Sequence, residues 1–176
     1  MKKLLFALTI VSVFSCYSQK GKVFPTIKGK SLDEKAVTLP LKNGKQTIIG
    51  IAFHRGAEDA LKKWLNPLYY TFIKKEKGQS NFDVSEVYDV NFSFVPMISG
   101  FDKLEKDFKA GTQKEFWPYI IDTEKTDVSA LQKELGIKDN KIPYFFVLDK
   151  DGKVLEVQSG DFSEDKMDKL EEACGE

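Results

Sequence analysis

The apolar positions of the chain fall into two kinds of run. Gln46 to Phe53 (QTIIGIAF) and Tyr144 to Leu148 (YFFVL) are continuous, the pattern of strands buried on both faces. A third strand is expected within Val84 to Ile98, centred on Phe92 to Met97. Between the first two kinds of strand, Ala57, Ala60, Leu61, Trp64, Leu65, Leu68 and Phe72 recur at three- and four-residue spacing, which predicts a helix. Glu58 and Asp59 in its first turn and Lys74, Lys75 and Lys77 near its end suit the helix dipole. Pro67 inside that pattern predicts a kink or a split.

Shorter elements complete the pattern. Val37 to Leu41 alternates partly and runs into Asn43-Gly44, a strong turn signal. Phe101 to Lys109 reads as a short helix, Tyr119 to Asp122 as a strand, and Asp127 to Leu135 as a helix stopped by Gly136. Asp149 to Gly152 turns YFFVL into a partner strand, Lys153 to Val157. A last helix starts at Ser163, with Glu164 and Asp165 in its first turn and Phe162, Met167 and Leu170 as apolar candidates. Helices alternate with strands first, and a hairpin plus a closing helix follow. That order predicts an α/β domain with a mixed sheet flanked by helices on both faces.

Residues 1 to 18 stand apart from this fold. Lys2 and Lys3 precede an apolar stretch, Leu4 to Phe14, too short to span a bilayer, so the segment reads as an export signal. Cleavage after Ser18 places the small residues Cys16 and Ser18 at the positions a signal peptidase reads. Alternatively Val13-Phe14-Ser15-Cys16 is a lipobox, the signal is residues 1 to 15, and Cys16 is the lipidated first residue. Phe14 is bulky for that pattern. Either way the expectation is a bacterial protein in the periplasm or anchored there, touching a membrane only if Cys16 is acylated. Residues 19 to 36 are expected to form an N-terminal extension, and 37 to 176 the domain.

Composition narrows the chemistry. The 176 residues carry 27 basic and 27 acidic side chains, so no electrostatic nucleic-acid footprint is expected. The two cysteines, Cys16 and Cys174, form no CxxC pair and no disulfide framework. With one histidine, His54, the sequence calls for no metal site and no cofactor. Asp149 to Gly152 resembles a calcium loop faintly, but with Gly152 sixth the first ligand position falls on Val147. The aromatic pairs Tyr69-Tyr70, Phe116-Trp117 and Phe145-Phe146 lack a basic groove and are read as core.

Leu135 to Leu170 (LGIKDNKIPYFFVLDKDGKVLEVQSGDFSEDKMDKL) resembles the second half of thioredoxin-like proteins of the peroxiredoxin and thiol-disulfide oxidoreductase group. The resemblance implies a thioredoxin-like fold and a cis proline at Pro143, with Ile142, Pro143 and Tyr144 bordering a client groove. It also implies a redox motif after the first strand. The chain instead reads Phe53-His54-Arg55-Gly56-Ala57-Glu58-Asp59-Ala60-Leu61-Lys62. Aligned on Phe53, the cysteine slots fall on Glu58 and Leu61; aligned on Pro67, on Asp59 and Lys62. Neither alignment supplies a thiol. A helix N-terminus stabilises a thiolate, whereas a carboxylate there stabilises the helix but attacks no disulfide.

A second resemblance spans Phe24 to about Leu170. Phe24, Pro25, Gly29, Leu39, Pro40, Gly44, Lys45, Phe53, Trp64 and Pro67 match, in order, a family of cysteine-free mitochondrial ATP-synthase assembly factors. Pro143 departs from that family's pattern. This likeness implies a thioredoxin-like scaffold with an N-terminal β-hairpin and a non-redox, assembly or chaperone-type role toward an unidentified protein client. His54 and Arg55, the only His and the only Arg, follow the strand at the site loop and read as a partner- or anion-binding loop at a helix N-terminus, or as a solvated loop. The rival expectations are a thiol-disulfide or peroxide-related oxidoreductase, using Cys174 or a supplied thiol, and a small-ligand binder.

Overall fold

The computed structural model describes residues 19–73, 88–96, 106, 108–123 and 126–175. Lys74, Lys75, Lys77 and Cys16, with most of the helix expected over Phe101 to Lys109, lie outside them; Lys106, Phe108 and Lys109 of that stretch are helical, and the helix runs on to Gly111. The elements bounded within the described residues are, in order, β1 (Ile27–Ser31), β2 (Ala36–Leu39), β3 (Gln46–Ala52), α1 (Arg55–Phe72), β4 (Val90–Pro96), β5 (Ile121–Asp122), α2 (Val128–Glu134), β6 (Tyr144–Leu148), β7 (Val154–Ser159) and α3 (Glu164–Gly175). A 3-10 helix, Lys114–Tyr119, precedes β5.

The main sheet has the order β4-β3-β6-β7. Strand β3 pairs parallel with β4 and antiparallel with β6, so it is bonded on both sides, as its unbroken apolar run requires. Its side chains alternate between two cores. Ile48 and Ala52 join Leu61, Trp64, Leu68, Phe145, Met167 and Leu170 under α1 and α3. Ile49, Ile51 and Phe53 join Leu131, Leu135, Phe146 and Leu148 under α2. Helices therefore cover both faces of a mixed sheet, the arrangement the thioredoxin resemblance implies.

The N-terminal hairpin is β1–β2, and its turn lies at Leu32–Lys35. Ser31 Oγ donates to the Asp33 carboxylate, and Lys35 N–H donates back to Ser31 Oγ at 3.2 Å. Asn43-Gly44 also turns the chain, with Gly44 at φ +83°, but it carries the chain from β2 into a different sheet. There Asn43 exchanges 2.8 Å amide bonds with Asn91 of β4.

Helix α1 runs unbroken through Pro67, where the sequence suggested a kink or a split. Pro67 removes one backbone donor, but its would-be acceptor belongs to Lys63, which faces solvent. Trp64, Leu65, Leu68 and Phe72 are buried on both sides of the proline and hold the helix to the sheet. Tyr119 belongs to the 3-10 helix rather than to a strand, which shortens the expected Tyr119–Asp122 strand to two residues. Pro118 cannot donate to a ladder, so pairing starts only after it.

Helix α2 begins and ends where its sequence directs. Asp127 Oδ1 accepts from Ala130 N–H at 3.0 Å, and Gly136 follows the last turn at φ +61°. Gly136 N–H donates to Lys133 O at 3.1 Å and Ile137 N–H to Gln132 O at 2.9 Å, a Schellman closure. A Cβ at Gly136 would also stand 3.1 Å from Gln19 Nε2. Gly136→Ala should therefore cost about 1–2 kcal/mol for the left-handed backbone. Urea unfolding measures this, and a loss below a few tenths would contradict the closure.

Candidate functional site

The site loop forms where β3 ends and α1 begins. Extended His54 is the N-cap of α1: its Nδ1 accepts from Gly56 N–H at 2.9 Å and its carbonyl accepts from Ala57 N–H at 2.8 Å. His54, Arg55 and Gly56 are exposed. Because the helix starts at Arg55, the four positions taken as cysteine slots lie behind its free N–H groups rather than among them. Glu58 is only 6% exposed, and its Oε1 meets Lys62 Nζ at 2.7 Å. Lys62 Nζ also stands 4.6 Å from the centre of the Phe108 ring. Leu61 is a core side chain, and Asp59 faces solvent. The structure thus separates the six residues: His54, Arg55, Asp59 and Lys62 form a polar rim, while Glu58 and Leu61 are buried.

Antiparallel pairing of Ile51 with Tyr144 brings the start of β6 alongside this loop. The Phe53 and Tyr144 rings meet edge to face, with centres 6.3 Å apart. Pro143 is buried, and its carbonyl accepts from Gly160 N–H at 2.9 Å. Gly160 O in turn accepts from the Trp64 indole at 3.1 Å. This relay ties α1, the β7–α3 turn and Pro143 together, so the loop and the proline are held as neighbours.

The Ile142–Pro143 bond is trans, contrary to the cis geometry that the thioredoxin resemblance implies. Among the described residues the cis bond is Leu39–Pro40. Trans is the ground state of an X–Pro bond by roughly 0.5–1 kcal/mol, and here it feeds directly into the β6 ladder. Beside Ile142 and Tyr144 a depression of about 240 Å³ opens on the α2 side of the sheet. Nothing in the residue pattern announced it, since its lining comes from segments far apart in sequence.

Cys174 lies elsewhere. The carbonyl of its neighbour Ala173 accepts from Gln46 Nε2 at 3.4 Å, which puts the thiol near the first residue of β3. His54 lies two residues past Ala52, the last residue of the same strand, and the strand alone spans about 20 Å at about 3.3 Å per residue. Burial pushes the Cys174 thiol up to about 12, with the Glu171 carboxylate adding to the shift. Ellman's reagent at pH 8 should thus react with the native thiol at least about a hundredfold more slowly than with the unfolded chain. Equal rates would contradict this placement. The native state also keeps its proton longer than the unfolded one. Cys174 therefore contributes stability below the ordinary thiol range that is lost as pH rises toward 12, and Cys174→Ser should flatten that decline.

Among the described residues no group of three or more His, Cys, Asp or Glu side chains is placed to hold a metal ion. None of the described helices is long and apolar enough to cross a membrane.

Comparison with known proteins agrees with this architecture. The sequence profile of the family described as ATP10 protein matches residues 11–176. No curated protein matches. Among solved structures, the thioredoxin domain of a thiol-disulfide oxidoreductase from Bacteroides vulgatus superposes with a TM-score of 0.62 at 20% identity, covering 88% of this chain and 97% of that one. A thiol:disulfide interchange protein from Bacteroides sp. gives 0.60 at 19% identity, covering 89% and 91%. The exposed lipoprotein thioredoxin Etrx1 of Streptococcus pneumoniae gives 0.55 at 14%, covering 84% and 99%. At these identities the likeness establishes the thioredoxin-like fold and nothing of the chemistry.

Proposed function

The chain belongs to the ATP10 protein family, and from that premise we propose that it is an exported, non-catalytic thioredoxin-like accessory that binds a protein client during assembly. One observation carries the reading. At the helix start where a thioredoxin-like enzyme presents its thiols, this chain presents a histidine cap followed by exposed Arg55 and Gly56, and behind them a buried Glu58 paired with solvent-facing Lys62 and a core leucine. Thiol-disulfide exchange needs a thiolate as its attacking group. The nearest described thiol is protonated at neutral pH and sits at the other end of β3. What the loop does offer is exposed polar surface beside a buried proline on a rigid frame, a suitable place to hold another chain.

Export is part of the proposal and rests on the residue pattern of Met1 to Ser18. Intact mass of the mature protein decides between cleavage after Ser18 and acylation of Cys16. The client role is tested by photo-crosslinking in the protein's own cells, with a benzophenone side chain at Arg55, at Ile142 or, as control, at exposed Lys150. A discrete adduct from Arg55 and Ile142 and none from Lys150 is expected. Identical patterns from all three positions, or no adduct, would refute a client groove.

A further inference from the structure

The depression beside Tyr144 borders an open sheet edge. Strand β7 is the last in its sheet, and among the described residues its outer side is covered only at the start. Gly21 N–H donates to Val154 O at 2.7 Å, Val154 N–H donates to Lys22 O at 2.9 Å, and Val23 bridges Lys153. The segment turns away at Gln19, whose carbonyl accepts from Lys22 N–H at 3.1 Å. Beyond Val154 no strand pairs with the outer side of β7 among the described residues. Gly160 N–H bonds to Pro143 across the β6 side, so by antiparallel alternation Gln158 and Glu156 turn their backbone groups toward β6. Those of Val157 and Ser159 point outward.

Against that edge stands a hollow of about 240 Å³ whose apolar lining is Ile142, Tyr144 and Val157 and whose polar lining, besides Gln19, is Lys138, Asp139 and Ser159. Gln19 lines it, is only 7% exposed, and its Oε1 is buried with no hydrogen-bond partner among the described residues. A buried acceptor left unmet costs about 1–3 kcal/mol. The Tyr144 hydroxyl is engaged by Asp139 N–H at 3.4 Å and Asp139 Oδ1 by Lys141 N–H at 2.9 Å. The hollow is therefore apolar along its walls, with a polar demand from Gln19 for an N–H or O–H.

We propose that this edge and hollow bind an extended segment of a client polypeptide. The segment adds a strand to β7 at Val157 and Ser159, and one of its side chains, an apolar stem ending in an amide, places its N–H on Gln19 Oε1. Strand addition of this kind takes affinity from main-chain bonds and specificity from pockets for alternate side chains. The proposal rests on the client-binding reading and gives it a docking mode on the α2 side of the sheet.

The probes are two fluorescein-labelled peptides, Thr-Val-Gln-Val-Thr with both ends blocked and its counterpart with norleucine for the glutamine. Anisotropy with the mature protein should show the glutamine peptide binding at least tenfold more tightly. Gln19→Leu should abolish that difference, and Ser159→Trp should abolish binding of both. If Ser159→Trp fails to fold by circular dichroism, Gln19→Leu still decides. Equal affinities on the wild type, an unchanged difference in Gln19→Leu, or no binding would each overturn the proposal. Crosslinks from Arg55 and Ile142 that survive Ser159→Trp would also overturn it while leaving the client reading intact. Absence of any wild-type crosslink removes the client reading itself.

Discussion

Replacing Gly29 with alanine should open the seam between β1 and β5 and lower stability by about 3 kcal/mol or more, beyond ordinary overpacking. A Cβ at this position would lie 2.0 Å from the Asp122 carbonyl oxygen and 2.9 Å from its carbon. Both are backbone atoms, so no rotamer change relieves the clash. The strands must part, and the pairs Lys30–Asp122 and Ser31–Ile121 that join the hairpin to the rest of the molecule go with them. Leu32, Phe116 and Ile120 are packed in the same region of the core and would lose their cover. The control is Gly111→Ala, where a Cβ meets nothing within 4 Å and the backbone needs no left-handed turn. Urea unfolding should separate the midpoints of the two variants by about 1–3 M; similar midpoints would contradict the close approach.

Removing the Trp64 side chain should cost about 3–5 kcal/mol, the range for truncating a buried aromatic. Trp64 is fully buried, its ring lies 4.2 Å from that of Phe145 and 5.1 Å, edge to face, from that of Phe162. The alanine variant also leaves Gly160 O without its donor, and Gly160 is the residue that holds Pro143. Trp64→Phe keeps most of the packing and loses chiefly the indole bond, so it should cost less, about 1–3 kcal/mol. Trp64→Ala should in addition weaken the crosslinks from Ile142, because the proline loop loses its tether. A loss under about 1 kcal/mol for Trp64→Ala would mean the helix is not seated as described.

These two residues also mark what the sequence discloses and what it withholds. Trp64 was legible because helical spacing placed it on the inward face with Leu61 and Leu68. QTIIGIAF and YFFVL were legible because only strands paired on both sides need such runs. Asp127 and Gly136 marked the ends of α2 because capping is local chemistry. Gly29, by contrast, carried a match to a family but no reason, since its reason is the backbone of Asp122, far along the chain. The Asn43-Gly44 turn was visible, but a turn does not say which edges meet, and β2 pairs back onto β1.

The site shows the same division. His54 and Arg55 were found because they are single residues at the end of a strong strand. The start of α1 was not, because histidine is a less familiar cap than serine or aspartate, and the cap depends on Nδ1 reaching Gly56. Counted from Phe53 or Pro67, the cysteine slots fall past the first three residues of the helix. The bond before Pro143 could not be assigned from sequence, because the isomers differ by so little. The hollow at Gln19 combines a turn, a helix end and two strands, and no window of sequence contains them together.

The central claim is that this thioredoxin-like scaffold works without thiol chemistry. Insulin reduction by dithiothreitol, followed as turbidity in the presence of the mature protein, tests it most directly. The account predicts a rate equal to the dithiothreitol control for both the wild type and Cys174→Ser. Acceleration by the wild type that disappears in Cys174→Ser would contradict it.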